Sequence, residues 1–126
     1  MCILLVDDEE LIREVLADEL DSQGFRVCEA CSGDYAADLI QNAPTAFTLL
    51  ITDINMPGQR DGLEVARLMR LRCPSVPIIF ITGRPDISNL AGPLGANEFL
   101  LRKPFGLREL SRVVARMLDG SHNHRD

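Results

Sequence analysis

Three acidic residues stand directly after apolar segments of the chain. Asp7 and Asp8 follow the segment 2–6, and Asp53 follows the segment 47–52. If both segments are parallel strands, their carboxyl ends meet at one edge of a sheet, where ligands bind in open α/β folds. Clustered carboxylates repel each other, so the ionised set predicts a bound cation. Hard oxygen ligands favour Mg²⁺, which also bridges carboxylates to phosphate oxygens.

A hydroxyl and an ammonium group occupy the corresponding places after two later apolar segments. The segment 77–82 ends at Thr82 and is followed by Gly83, and Lys103 comes after the segment 98–101. A carboxylate beside a cation can attack phosphorus and form an acyl phosphate, and this step is predicted for the aspartate after the third segment. Thr82, Gly83 and Lys103 form the predicted phosphate-binding set, with the hydroxyl and the ammonium on the transferring oxygens.

The lysine of this set stands out in the composition. Of 13 basic residues, 12 are arginines and Lys103 is the only lysine. A lysine ammonium is a compact point charge, whereas an arginine guanidinium is a planar fork. A single lysine at this place indicates a role that arginine does not fill.

Short apolar segments alternate with helical patterns along the whole chain. Segments that are apolar at consecutive positions are typical of strands covered by helices on both faces. The alternation predicts an α/β fold with three layers, a doubly wound, five-stranded parallel sheet in the flavodoxin-like order 2-1-3-4-5. The predicted strands are 2–6, 25–30, 47–52, 77–82 and 98–101. The second contains Arg26 and Glu29, which favours a place near the edge of the sheet.

Helix signals separate these strands. The first helix is predicted over 10–23 with Gly24 as its stop, Ser32 caps the second, and Asp61 and Gly62 open the third. The last spans about 107–118, whereas the fourth, at 86–93, contains poor helix formers and a Gly-Pro pair and is predicted to be short. The side chains expected to face the core are Leu11, Ile12, Val15, Leu16 and Leu20, then Tyr35, Ala36, Leu39 and Ile40, then Leu63, Val65, Ala66, Leu68 and Met69, then Leu110, Val113, Val114 and Met117.

Composition narrows the class of protein. The chain has 126 residues and a net charge of −6, which argues against a broad basic surface for nucleic acid. It has no apolar run of membrane-spanning length, and its first residues lack the basic segment of a signal peptide, so we expect a cytoplasmic protein that contacts no membrane. One domain is predicted over 1–119, with a disordered tail over 120–126.

Cys28 and Cys31 have a C-x-x-C spacing, but Cys28 lies in a predicted strand, which favours ordinary packing over metal binding.

Four motifs in order carry a resemblance to a known family. They are V-D-D-E at 6–9, T-D-I-N-M-P-G at 52–58, I-T-G at 81–83 and K-P-F at 103–105. Together they resemble bacterial response-regulator receiver domains over nearly the whole chain. The resemblance implies that a sensor histidine kinase or a histidine phosphotransfer protein donates a phosphoryl group from phosphohistidine.

The resemblance also implies roles for individual residues. Asp53 would accept the phosphoryl group, and Asp8 would bind Mg²⁺ directly. Asp7 would bind the metal mainly through water, and the backbone carbonyl of Asn55 would coordinate it as well. Thr82 and Lys103, named above, would carry the conformational signal.

Two features depart from the family pattern. The loop between Pro57 and Gly62 is one residue longer than its commonest version. Many receivers carry an aromatic residue three positions before the lysine, where this chain has Leu100, with Phe99 one place earlier. Either a bulge brings Phe99 to that position, or the aromatic rotation of the family is absent. A downstream protein is expected to bind the surface around 86–110, chiefly through a change at 86–95.

Two other functions are open to such a chain. A Mg²⁺-dependent phosphatase that forms an aspartyl phosphate needs an acid two places after its nucleophile, but Asn55 stands there and cannot exchange a proton usefully. A degenerate receiver would bind partners without phosphorylation, which the full set of acids, hydroxyl and lysine disfavours. The expected protein is therefore a receiver and not an enzyme. The sequence leaves open whether it stands alone or belongs to a longer regulator.

Overall fold

The structure is a computed structural model that describes residues 2–43, 45–56, 61–83 and 94–120. The strands in this part are β1 (Cys2–Val6), β2 (Val27–Ala30), β3 (Phe47–Asp53), β4 (Ile78–Thr82) and β5 (Glu98–Arg102). The helices are α1 (Glu10–Ser22), α2 (Gly33–Asn42), α3 (Gly62–Arg72) and α4 (Leu107–Gly120). None of these described helices combines the length and apolar character needed to cross a bilayer.

The strands form one parallel sheet in the order β2-β1-β3-β4-β5. This confirms the predicted order and the edge position of β2. The three inner strands, β1, β3 and β4, are almost entirely buried. They need apolar side chains at consecutive positions because helices cover both faces of the sheet.

Successive side chains of each strand point to opposite faces of the sheet, which divides the core into two layers. On one face, Leu4, Leu50 and Phe80 pack with buried residues of α2 and α3. On the other face, Ile3 and Ile51 pack with buried residues of α1 and α4. The predicted three-layer, doubly wound fold is confirmed.

The predicted helix ends are confirmed by local geometry. Gly24 follows α1 with φ of +92°, a left-handed conformation that a residue without Cβ adopts at little cost. The Ser32 hydroxyl accepts a hydrogen bond of 3.0 Å from the N–H of Tyr35 at the start of α2. The carboxylate of Asp61 accepts one of 3.0 Å from the N–H of Glu64 at the start of α3.

Three side chains predicted to face the core are instead exposed. Leu11 is 77% exposed, and Val15 and Tyr35 are each 50% exposed. For α1 the reason is geometric, because the sheet contacts only the narrow stripe that contains Leu16 and Leu20. Leu11 and Val15 lie on the flank of that stripe and contribute to a surface groove described below.

The register of β5 decides between the two alternatives for the aromatic position. β5 pairs with β4 without a break, with Phe99 opposite Ile79 and Leu100 opposite Phe80. The paired residues contain no bulge, so Leu100 keeps the position three residues before the lysine. Phe99 lies on the opposite face, where the guanidinium carbon of Arg116 is 5.5 Å from its ring centroid. The leucine therefore replaces the aromatic residue of the family.

The four cysteines are free thiols. Cys2 and Cys28 pack against the core on the α2 and α3 side of the sheet. Burial raises the pKa of the Cys28 thiol, and the neighbouring Cys2 adds to the shift. Cys31 is exposed. This arrangement agrees with the packing role predicted for Cys28.

Three predictions fall on residues outside the described ranges. They concern the short helix at 86–93, most of the longer loop at 58–61 and the tail beyond residue 120. Each stays a prediction.

Candidate phosphoryl-acceptor and metal site

The predicted site residues meet at the carboxyl edge of the sheet. Asp7 follows β1, Asp53 ends β3, Thr82 ends β4 and Lys103 follows β5. Asp7, Asp53 and Thr82 are buried, and Asp8 is exposed. The side chains come together because the strands are parallel and their ends are in register, as the sequence predicted.

The three acids form a compact cluster that fits a cation. One carboxylate oxygen from each of Asp7, Asp8 and Asp53 lies within 4.8 Å of the other two. Oxygen ligands at this spacing suit a small divalent cation. The cluster agrees with the predicted ligand set as far as these three side chains are concerned. The Asn55 carbonyl as a further ligand stays a prediction.

The carboxylate of Asp7 gives the clearest indication that the cluster could hold a cation. Its Oδ1 accepts a hydrogen bond of 2.9 Å from the N–H of Glu9, but its buried Oδ2 has no hydrogen-bond partner in the described part of the chain. Burial raises the pKa of Asp7 against the opposing effects of Glu9 and Lys103, and the charges of Asp53 and Asp8 raise it further. A buried oxygen without a partner is costly, and a bound cation would satisfy it.

Both oxygens of the Asp53 carboxylate are held in place. Oδ1 accepts a hydrogen bond of 2.9 Å from the N–H of Asn55, and Oδ2 accepts one of 3.0 Å from the Lys103 ammonium. With a side chain that is only 6% exposed, Asp53 keeps one orientation at the base of the site. Such a fixed carboxylate suits a nucleophile.

Lys103 connects the acids to the end of β4. Its N–H donates to the Thr82 carbonyl at 2.8 Å, and its Nζ lies 3.0 Å from Asp53 and 3.5 Å from Glu9. Partial burial alone would lower the pKa of Lys103. The hydrogen bond and charge of Asp53, with smaller effects from Asp7 and Glu9, outweigh burial and raise that pKa. The ammonium is therefore charged at neutral pH.

Thr82 and Gly83 border the same space. The Asn55 side-chain amide donates to the Thr82 hydroxyl over a long distance of 3.5 Å. Gly83 is exposed, and a Cβ added there would lie 3.7 Å from the Lys103 side chain. Gly83 thus lies against the Lys103 side chain. The predicted phosphate-binding set is thus grouped together, although its role stays a prediction.

Two further residues shape the site. Sequence reasoning missed the site contacts of both, although it predicted that Gly62 opens α3. Arg13 donates to the backbone carbonyl of Asp7 at 2.9 Å and pairs with Glu29 of β2 at 3.0 Å. Gly62 begins α3 against the backbone of Asp53 and Ile54. The glycine after the capping Asp61 was a visible signal for a close approach, whereas nothing in the spacing of Arg13 indicated its contact.

A parallel α/β sheet with an acid cluster at its carboxyl edge is typical of a candidate phosphoryl-transfer protein. Comparisons with known proteins identify the family. A family model described as the response regulator receiver domain matches residues 3–115. The chain therefore belongs to the response regulator receiver domains of two-component systems. This confirms the family to which the four motifs pointed.

Individual relatives agree with this assignment. The chain is 42% identical over 118 residues to the response regulator MprA of a Mycobacterium species, covering 91% of this chain and 48% of MprA. It is 36% identical over 117 residues to the response regulator receiver protein CpdR of Brucella abortus, covering 92% and 95%. A response regulator receiver protein from Sinorhizobium medicae superposes with a TM-score of 0.88 at 30% identity over 97% of both chains. The chain thus spans about half of MprA and nearly all of CpdR.

Replacing Asp7 with asparagine is expected to stabilise the metal-free protein by about 1 kcal/mol. The substitution removes a charge from the cluster, and the new amide can donate to the neighbouring carboxylates. Thermal unfolding with and without Mg²⁺ measures the effect. The increase in melting temperature caused by Mg²⁺ should shrink at the same time. A less stable metal-free variant would contradict the interpretation of Asp7.

The pH dependence of this effect has a defined sign. The raised pKa of Asp7 means that its contribution to stability is fully present below the pKa of the unfolded chain. That contribution is lost as the pH rises through the higher pKa of the folded state. The advantage of Asp7→Asn should therefore be largest near neutral pH and smallest in acid.

Proposed function

We propose that this receiver domain accepts a phosphoryl group on Asp53. The observation that carries the proposal is the immobilised, buried carboxylate of Asp53, which contacts Lys103 and lies beside Asp7 and Asp8. In the transfer, a carboxylate oxygen of Asp53 forms the bond to phosphorus while the bond to the donor nitrogen breaks. The imidazole of the donor leaves with the bonding electron pair.

The chain's own residues supply most of the charge stabilisation. Lys103 is close enough to move from Asp53 to a phosphoryl oxygen, since its ammonium already lies 3.0 Å from the acceptor. The Thr82 hydroxyl at the neighbouring strand end donates to another oxygen. The N–H of Asn55 holds the acceptor carboxylate during the reaction. These groups are in place before the donor arrives.

Asp7, Asp8 and Asp53 would hold Mg²⁺, with the Asn55 carbonyl as a further ligand. When bound, the ion neutralises negative charge on the transferring phosphoryl oxygens. The cluster geometry and the unpartnered oxygen of Asp7 support this choice of site. The choice of Mg²⁺ follows from the oxygen ligands and the phosphoryl chemistry.

The proposed donor is the phosphohistidine of a sensor histidine kinase or phosphotransfer protein, which works with this receiver in the cytoplasm. An apolar groove of about 420 Å³ lies directly beside the site. Its walls come from α1, through Leu11 and Val15, and from the chain after β5, through Phe105 and Leu107. Lys103 also lines this groove. A helix that packs into it brings a histidine on its surface close to the acceptor.

Replacing Leu11 with aspartate is expected to slow phosphotransfer from a protein donor about tenfold, because it puts a charge into an apolar contact. Labelling by acetyl phosphate should keep its rate. The donor is the first autophosphorylated kinase of a panel that labels the wild-type chain. Leu71→Asp is the matched control, since Leu71 is exposed to a similar degree, 71% against 77% for Leu11, but lies on α3. Equal losses in both variants would argue against the groove.

The phosphorylated form is proposed to act on a downstream protein through the surface around 86–110, without turnover of a separate substrate. The described part of this surface contains β5 and the start of α4. Lys103 lies within it and contacts the acceptor. A shift of Lys103 towards the phosphoryl group therefore changes the surface directly.

The experiment that tests the proposed function is labelling by acetyl phosphate in Mg²⁺ or in a chelator. We expect Mg²⁺-dependent gain of one phosphoryl group, which hydroxylamine removes. Lys103→Arg should keep Mg²⁺ binding but lower the labelling rate at least about tenfold, because a guanidinium cannot reproduce the point contact with Asp53. Labelling that persists in the chelator, or a normal rate in Lys103→Arg, would contradict the respective part of the proposal.

A further inference from the structure

Glu9 lies at the solvent side of the acceptor site and has no assigned role. Glu9 is the residue that precedes α1, but its side chain makes no hydrogen bond to that helix. Its carboxylate instead lies 3.5 Å from the Lys103 ammonium and is 59% exposed. Lys103 is therefore shared between a buried acid, Asp53, and an exposed acid at the entrance of the site.

The charge of Glu9 is not needed to balance the site. The three acids of the cluster are balanced by one divalent cation together with Lys103. Glu9 adds a negative charge at an exposed position beside the Lys103 ammonium. The charge is local, because the carboxylate is close to the ammonium that is to receive the phosphoryl oxygens.

We propose that Glu9 is a specificity residue that disfavours small anionic phosphodonors relative to a phosphohistidine carried by a protein. This inference rests on the proposed function of Asp53. A free acyl phosphate approaches from solvent and meets the repulsion of Glu9 in full. A protein donor is held beside Lys103 by the apolar groove, so at a saturating donor concentration the repulsion of Glu9 no longer limits the approach of its phosphoryl group.

The reaction with the small donor is balanced without any further reactant. A carboxylate oxygen of Asp53 forms a bond to the phosphorus of acetyl phosphate, and the phosphorus–oxygen bond to the acetyl group breaks. Acetate leaves with the electron pair. Glu9 takes part in neither bond, so its effect is electrostatic and depends on its charge.

The test compares Glu9→Gln with the wild type at saturating Mg²⁺ and low ionic strength. The labelling rate with acetyl phosphate should rise about threefold, the scale of one exposed charge pair. The rate at a saturating concentration of an autophosphorylated kinase should change less. Added salt should reduce the difference in labelling rate between Glu9→Gln and the wild type, because it screens the charge of Glu9. Glu14→Gln, which makes the same change in net charge at an exposed position of α1, is the control and should leave both rates unchanged.

Each remaining outcome overturns the inference. An unchanged or lower rate in Glu9→Gln means that Glu9 is a solvated residue or merely holds Lys103 in place. An equal increase in Glu14→Gln means that net charge, and not the position of Glu9, controls the rate. The proposed function itself fails only if the wild type shows no labelling that depends on Asp53. Its failure is therefore distinguishable from failure at Glu9.

Discussion

Replacing Asp53 with alanine is expected to abolish labelling by acetyl phosphate and by any kinase that labels the wild type. The neighbouring acids cannot substitute for it. Asp7 is buried with one oxygen held by the N–H of Glu9, and Asp8 lacks the contact that Lys103 makes with Asp53 at 3.0 Å. A nucleophile without the positioned ammonium loses the stabilisation of the transferring oxygens. We expect a loss to the background level.

The fold should survive this substitution. Asp53 is the last residue of β3 and forms the last pair with β4, opposite Ile81. Removal of its carboxylate relieves repulsion within the acid cluster. Circular dichroism should be unchanged, and the melting temperature should not fall. Asp18→Ala, at an exposed site on α1, is a control that should label normally. Labelling of Asp53→Ala at wild-type stoichiometry would place the acceptor on another residue.

Replacing Gly62 with alanine is expected to destabilise the protein by about 3 kcal/mol, because it overpacks a contact between two backbone segments. The added Cβ would overlap the Asp53 carbonyl oxygen. It would also lie 2.8 Å from the Asp53 carbonyl carbon and 2.9 Å from the Ile54 Cα. Backbone atoms cannot rotate away, so the start of α3 or the end of β3 must move. The N–H of Gly62, which donates to the Ile54 carbonyl at 3.1 Å, moves with it.

Urea denaturation gives the loss of stability, and labelling by acetyl phosphate gives its effect on the site. The rate should fall because the displaced segment carries Asp53, the proposed acceptor. Gly95→Ala is a control with ordinary contacts, since its added Cβ would lie 3.6 Å from the Glu98 side chain. It should change the stability by less than about 1 kcal/mol. Equal effects of the two substitutions would show that the contact at Gly62 is unimportant.

The sequence predicted the sheet well because its signals are local. Continuous apolar segments fixed the strands to within two residues. The largest error is at β2, which begins at Val27 rather than at 25. Phe25 belongs to the turn after α1, where its N–H donates to the Leu20 carbonyl at 3.1 Å. The capping residues Ser32 and Asp61 placed two helix starts correctly.

The predicted site residues came together because their positions follow from the strand ends. The contacts between elements could not be predicted in the same way. Whether Leu11 faces the core depends on how α1 is rotated on the sheet, and periodicity gives only an average face. The position of the Glu9 carboxylate depends on its distance from Lys103, which is far away in the chain, and such a distance leaves no local signal. The glycine after Asp61 signalled a close approach, but it did not show that the partner is the backbone of Asp53 and Ile54.

Because the chain has a single lysine, an amine-specific reagent can probe the site. Apart from the amino terminus, Lys103 carries the only primary amine of the chain, and that amine lies within ion-pair distance of Asp53 and Glu9. A protonated amine reacts poorly with acylating reagents, and the raised pKa of Lys103 keeps it protonated. The extent of modification by such a reagent, followed by mass spectrometry, therefore reports on one side chain. The extent of modification of Lys103 therefore shows whether the carboxylates around its amine are intact.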